Sequence, residues 1–224
     1  MGNRCENINS AIVVDLDKTL VKVNTFRHFI VMAVKASIVR LHFAPLLLIV
    51  AAIGCRLLRI YSHSNMKRQI LSATAGFVTE LDLAHFAAKM AVSANTEVLK
   101  IISQAHENRE KVILATAAPE IYAQKIAMLT GCDTCIATAL PSQCTDWNEC
   151  AREHKLVAVK AYTDSCNLHI SGLITDHFDD IPLMAECSAK GGAIFLVSPR
   201  KRTLEQIAEA GITSYSIIKF IGHE

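Results

Sequence analysis

The chain has 224 residues, enough to bury one good core and to hold a second small unit inserted into it. Half of its residues (51%) are apolar and 20% are charged, which suits a globular protein and excludes a disordered one. The net charge of +2, with basic residues scattered rather than gathered into one stripe, excludes a nucleic-acid partner.

The polar opening MGNRCENINS runs directly into an apolar stretch and predicts no signal peptide, hence a cytoplasmic chain. The first strand is AIVVD (11–15), leading into Asp15-Leu16-Asp17-Lys18-Thr19-Leu20. Residues 20 to about 95 carry almost no strand signal but several helical stretches, such as TELDLAHFAAKMAVSA, and read as an α-helical insertion. Within it, Phe43 to Cys55 is thirteen residues without a charge. A membrane-spanning helix needs about 20, and Lys35, Arg40, His42 and Arg56 interrupt the longer window, while Pro45 favours a helix start. The expectation is a helix buried within the insertion, and the alternative is an in-plane membrane helix or a hydrophobic partner face.

From residue 97 onward, short apolar runs alternate with helical stretches. KVILAT (111–116) precedes a helix opened by Pro119 and Glu120. CIATAL (135–140) is followed, after a polar loop, by helical REHKLVAVKAY. GLITD (172–176) is followed by PLMAECSA, and AIFLV (193–197) by TLEQIAEAG. Strands separated by helices predict an α/β fold, with a Rossmann-like parallel sheet covered by helices on both faces and the α-helical cap inserted after the first strand. The expected division is residues 1–20 and 96–224 as the α/β core and 21–95 as the cap.

Eight cysteines stand at 5, 55, 132, 135, 144, 150, 166 and 187. Without export, disulfides are not expected, and free cysteines behave as small buried hydrophobes. Cys132-x-x-Cys135 with Cys144 and Cys150 resembles a zinc set, but the second pair has five intervening residues, and GCDTCIATAL reads as a helix end entering a strand. Buried thiols are the preferred reading.

The chemistry lies in the carboxylates. Asp15 and Asp17 stand two residues apart just past a buried strand, where open α/β sheets place their sites. Alone they would read as a turn or helix cap. A second acidic cluster, Asp176, Asp179 and Asp180, follows another strand, and carboxylates meeting at adjacent strand ends repel one another unless a cation sits between them. Hard oxygen ligands in an open site suggest Mg2+. Thr116 ends a third strand before a helix, a natural phosphate seat, and Lys155 is a cation able to neutralise phosphate oxygens.

In this order, the four segments resemble the motifs of the haloacid dehalogenase-like (HAD) superfamily. VVDLDKTL is similar to the first motif, DxDxT, and ILATAAPE to the second, with its hydroxyl at Thr116. NECAREHK is similar to the segment bringing the third-motif lysine, at Lys155, and TDHFDDIPLM to the fourth, with Asp176 and Asp180 at its acidic positions. The spacing resembles the phosphoserine-phosphatase-like branch, whose helical C1 cap lies between the first two motifs.

The resemblance implies a Mg2+-dependent phosphatase acting on a small phosphorylated substrate. Asp15 would be the nucleophile and Asp17 the acid/base, with Thr116 and Lys155 on the phosphate. Metal would be held by Asp15, the main-chain carbonyl of Asp17, and Asp176, with Asp180 supporting Lys155 or a metal-bound water. Asp179 is a possible helper. Two departures stand out. Thr175 and His177 replace the usual Gly and Ser of the fourth motif, and Asn24 stands where phosphoserine phosphatases carry a Glu for the substrate ammonium. Asn24 and the apolar, acid-poor cap point to a leaving group of apolar character, or a site near membrane. The alternatives are a non-catalytic, membrane- or partner-binding protein on the same fold, and a phosphotransferase using the same aspartyl-phosphate.

Overall fold

The computed structural model describes residues 9–141 and 147–220. Cys5 and Cys144 lie outside the described residues, as does most of the polar N-terminal stretch.

The apolar runs form parallel strands. β1 (Ser10–Val14), β2 (Lys111–Pro119), β3 (Thr134–Thr138), β4 (His169–Thr175), β5 (Ala193–Val197) and β6 (Ser216–Ile218) make one sheet in the order β3-β2-β1-β4-β5-β6. Every described strand pairing is parallel, as crossovers through helices require. Side chains alternate between two cores: Ile12 and Val14 face one apolar cluster, and Ala11 and Val13 the other. β6, at the sheet edge, was not expected from the sequence; only three residues long and largely exposed, it carries little apolar signal.

Strand order reverses at β1. The chain steps from β1 to β2 and β3 on one side, then crosses to β4 on the other. The β1 and β4 C-terminal ends therefore flank a topological switch point, where neighbouring loops diverge and leave a crevice.

Between β1 and β2 run five helices: α1 (Thr25–Val39), α2 (Phe43–Leu57), α3 (His63–Thr74), α4 (Glu80–Val92) and α5 (Thr96–Glu107). Side-chain caps start four of them: Asn24 accepts from Arg27 N–H, Ser62 from Asn65, Asn95 from Glu97, and Thr79 forms a reciprocal capping box with Asp82. The helical insert docks on the sheet domain through aromatic rings. Phe29 of α1 and Phe86 of α4 lie 5.3 and 5.1 Å from the ring of Tyr122, which is fully buried in α6 (Glu120–Leu129). Such contacts contribute about 0.5–1.5 kcal/mol each beyond the area they bury.

The expectation of a buried helix over Phe43–Cys55 is corrected. α2 forms, but only Ile49 and Ala52 are buried along it. It packs on α1 and α3 with one face, and among the described residues no further layer covers the other. The cysteines are also less uniform than expected: Cys132, Cys150 and Cys187 are buried, Cys55 and Cys135 half-buried, and Cys166 exposed.

Candidate active site

Asp15 follows β1 directly, and its N–H donates to Ile174 O at 2.9 Å, extending the β1–β4 ladder by one bond. The chain then folds back on itself. Leu20 N–H donates to Asp15 O and Val21 N–H to Leu16 O, with Lys18 in the left-handed region at φ 62°. This turn carries Asp17 to the start of α1, where its Oδ1 accepts from Thr25 N–H at 2.7 Å. A helix N-terminus favours the anion. Burial opposes it and wins, pushing the Asp17 carboxyl above its ordinary range despite the Thr25 bond.

Lys155 sits in the first turn of α7 (Glu153–Ser165) and is 4% exposed. Its Nζ lies 2.9 Å from Asp15 Oδ1 and 2.7 Å from Asp180 Oδ1. Burial pulls the ammonium down, but Asp15 and Asp180 together outweigh it and hold Lys155 charged. Asp180 closes a 3-10 turn, Phe178–Asp180, before α8 (Ile181–Ala189). Its other oxygen accepts from Thr175 Oγ1 at 2.6 Å. The threonine that replaces the usual glycine thus fixes the carboxylate that fixes the lysine.

Burial raises Asp15 to about 7; Lys155 opposes this, while Asp180 and Asp176 add to it. Asp176 follows β4, and burial lifts it to about 6 against the pull of His177 and Lys18. Thr116 is buried in β2, its Oγ1 accepting from Ala118 N–H at 3.0 Å. Its expected place at the strand end needs correction. β2 continues to Pro119, so Thr116 lies within an irregular stretch where the β2–β3 register shifts, rather than at the α6 N-terminus. Asp15, Asp17, Thr116, Lys155, Asp176 and Asp180 all line one cavity of about 220 Å³. Asp179 also reaches it; its carboxylate is held low by His177 and pairs with Arg152 Nε at 2.9 Å.

The donors permit a test of cation fit. Two desolvated carboxylates of raised pKa, Asp15 and Asp176, face one cavity with hard oxygen atoms. The Asp17 carboxylate is turned to Thr25, so Asp17 has its carbonyl to offer instead. Among the described residues no three His, Cys, Asp or Glu side chains gather as a metal-holding group, at the carboxylates or around Cys132 and Cys135. Few carboxylates with several retained waters is the habit of Mg2+ rather than of a caged ion, and the site fits it.

Lys67 and Glu149 were not anticipated from the sequence. Lys67 of α3 is 3% exposed; its Nζ donates to Glu149 Oε2 at 2.7 Å and to Ala117 O at 3.0 Å, next to Thr116. The bond to Ala117 O ties α3 to β2. The available signal was periodicity: Lys67 shares helical spacing with buried Ile70, Leu71 and Thr74, an odd place for a solvated lysine.

The sequence model of the haloacid dehalogenase-like hydrolases matches residues 12–185. No curated protein matches the chain. Among solved structures, a protein of unknown function from Bordetella pertussis Tohama I superposes with a TM-score of 0.68 at 16% identity, covering 95% of this chain and 99% of that one. HAD family hydrolase t0658 from Salmonella enterica serovar Typhi gives 0.64 at 11%, covering 97% and 70%. A probable phosphoserine phosphatase from Vibrio cholerae gives 0.66 at 11%, covering 97% and 64%. At such identities the likeness is one of fold.

Proposed function

The chain belongs to the haloacid dehalogenase-like hydrolases, and from that premise we propose that it is a Mg2+-dependent phosphatase that hydrolyses a phosphate monoester through an aspartyl-phosphate on Asp15. One observation carries the reading: Asp15 is buried at the strand-order switch, with Lys155 2.9 Å from one of its oxygens and Asp17, Thr116 and Asp176 around the same cavity.

Asp15 Oδ1 is engaged by Lys155, so Oδ2 attacks phosphorus while the bond to the leaving oxygen breaks. Asp17, raised by burial, holds the proton that the leaving alkoxide takes. The resulting carboxylate then removes a proton from water, which attacks phosphorus, releases phosphate and restores Asp15. Lys155 and the Thr116 hydroxyl hold the non-transferring oxygens, and Asp180 keeps Lys155 aimed. Mg2+, held by Asp15, Asp176 and the Asp17 carbonyl, would offset the charge that gathers during transfer.

The substrate class follows from the insert. Asn24 lines the cavity, but its side-chain oxygen is occupied in capping α1, and it carries no charge to pair with an ammonium. Residues 18–79 contain no Asp or Glu. A leaving group of apolar character therefore fits better than phosphoserine. Residues 21–95 would serve as the cap that selects it. A panel of amino-acid, sugar and long-chain alkyl phosphates assayed with Mg2+ tests this. Turnover should favour alkyl phosphates and vanish in Asp15→Asn. Turnover surviving that substitution sinks the mechanism, and a preference for phosphoserine sinks the substrate reading.

A further inference from the structure

The outer face of α2 is a feature that hydrolysis leaves unused. Phe43, Leu47, Val50, Gly54 and Leu57 recur at spacings of three and four, so they share one stripe of the helix. Phe43 is 60% exposed, Leu47 70%, Val50 55% and Leu57 78%. At Gly54, in the middle of the stripe, an added Cβ would meet nothing within 4 Å. Leu41 before the helix and Leu58 and Ile60 after it are exposed as well. A soluble domain rarely leaves so contiguous a patch to water.

Charge identifies the occupant. Residues 18–79 hold nine of the chain's 23 Lys and Arg and none of its 21 Asp and Glu, so the rest of the molecule is net acidic. Arg56 and Arg59 are exposed at the C-terminal end of α2, whereas Arg40 of the same segment is paired with Asp82 and Lys67 is buried against Glu149. A protein groove for an apolar helix needs no such excess of one sign, whereas anionic lipid headgroups beside acyl chains match both features. The helix length sets the mode. Fifteen residues at about 1.5 Å each fall short of a hydrocarbon core of about 30 Å, and no described helix is long and apolar enough to cross a membrane.

We propose that α2 lies in the plane of an anionic membrane surface, its Phe43–Leu47–Val50–Leu57 stripe among the acyl chains and Arg56 and Arg59 at the headgroups. The inference rests on surface and charge, and stands or falls separately from the hydrolytic reading.

Co-sedimentation of the full chain with vesicles tests it, comparing phosphatidylcholine alone with phosphatidylcholine containing about 30% phosphatidylglycerol. Binding should require the anionic lipid and weaken as salt rises. The variant Leu47→Gln/Val50→Gln/Leu57→Gln should bind at least roughly 100-fold less, with its melting temperature retained because the side chains are exposed. Arg56→Gln/Arg59→Gln should lose about fivefold per charge, which gives a second readout should the triple variant fail to fold. Absence of binding to anionic vesicles, or triple-variant binding equal to that of the parent, overturns the proposal. So does a concentration-dependent dimer that the triple variant abolishes without any vesicle binding, since a second copy would then cover the face.

Discussion

Replacing Lys67 with Met keeps the length of the side chain and removes its charge. In the native protein the ammonium is bonded to Glu149 Oε2 and Ala117 O, with the Phe26 ring 5.4 Å away. The substitution leaves a carboxylate of 14% exposure without its cation, with its second oxygen already unpartnered in the protein. Removing one partner of a buried ion pair costs about 3–5 kcal/mol. Glu149 retains some contact with solvent, so the lower end applies, about 3 kcal/mol. Adding Glu149→Met removes the stranded charge, so the double variant should recover about 2 kcal/mol of that loss. Urea unfolding of the four proteins of this cycle, followed by far-UV circular dichroism, measures both quantities. Single substitutions costing under about 0.5 kcal/mol, or losses that simply add, would refute the view that this pair fastens α3 to the segment before α7.

Lys155→Met should lower turnover by about 10²–10³, the usual scale for losing a charge-stabilising donor, while Asp180→Asn, which removes one of the two anions aiming Lys155, should cost less. Steady-state kinetics on both variants checks the order. Asp17→Asn should slow alkyl phosphates by about 10²–10⁴ but aryl phosphates with acidic leaving groups far less, because those need no proton on departure; equal losses on both would remove Asp17 from the acid role. Burial pushes the Cys132 and Cys135 thiols up to about 12 and Cys150 and Cys187 to about 11, from 9.0. Since the fold disfavours the thiolate, their stabilisation is complete below pH 9.0 and is lost as pH rises from there towards 11 or 12, by about 1.4 kcal/mol per pH unit per thiol. Chemical unfolding across that range measures the slope, and native labelling at pH 8 should modify exposed Cys166 while sparing these four.

The parallel sheet was legible because its strands are short, continuous apolar runs between helical stretches, and a strand buried on both faces leaves that mark. Asp15, Asp176 and Lys155 were legible for a related reason, since each falls at an element end that the alternation locates. The rest depends on distance in the chain. The Lys67–Glu149 bond joins residues 82 apart, and no local pattern records it. The Thr175–Asp180 bond is only five residues long, yet reads as an ordinary turn until the 3-10 geometry is known. Thr116 looked like a strand terminus because Ala117 and Ala118 are compatible with either conformation; the register shift against β3 decides it. The uncharged run in α2 states that the helix is apolar, but not which faces have neighbours. Only packing shows that Ile49 and Ala52 are covered while Leu47 and Leu57 are not.

If phosphate passes through Asp15, the covalent species can be trapped there. A preferred substrate mixed with the enzyme and Mg2+, quenched in acid within a turnover and digested, should yield the peptide around Ser10–Lys18 carrying phosphate on Asp15, sensitive to hydroxylamine and absent from Asp15→Asn. Phosphate on another residue, or full turnover with none on Asp15 at any quench time, would contradict the account.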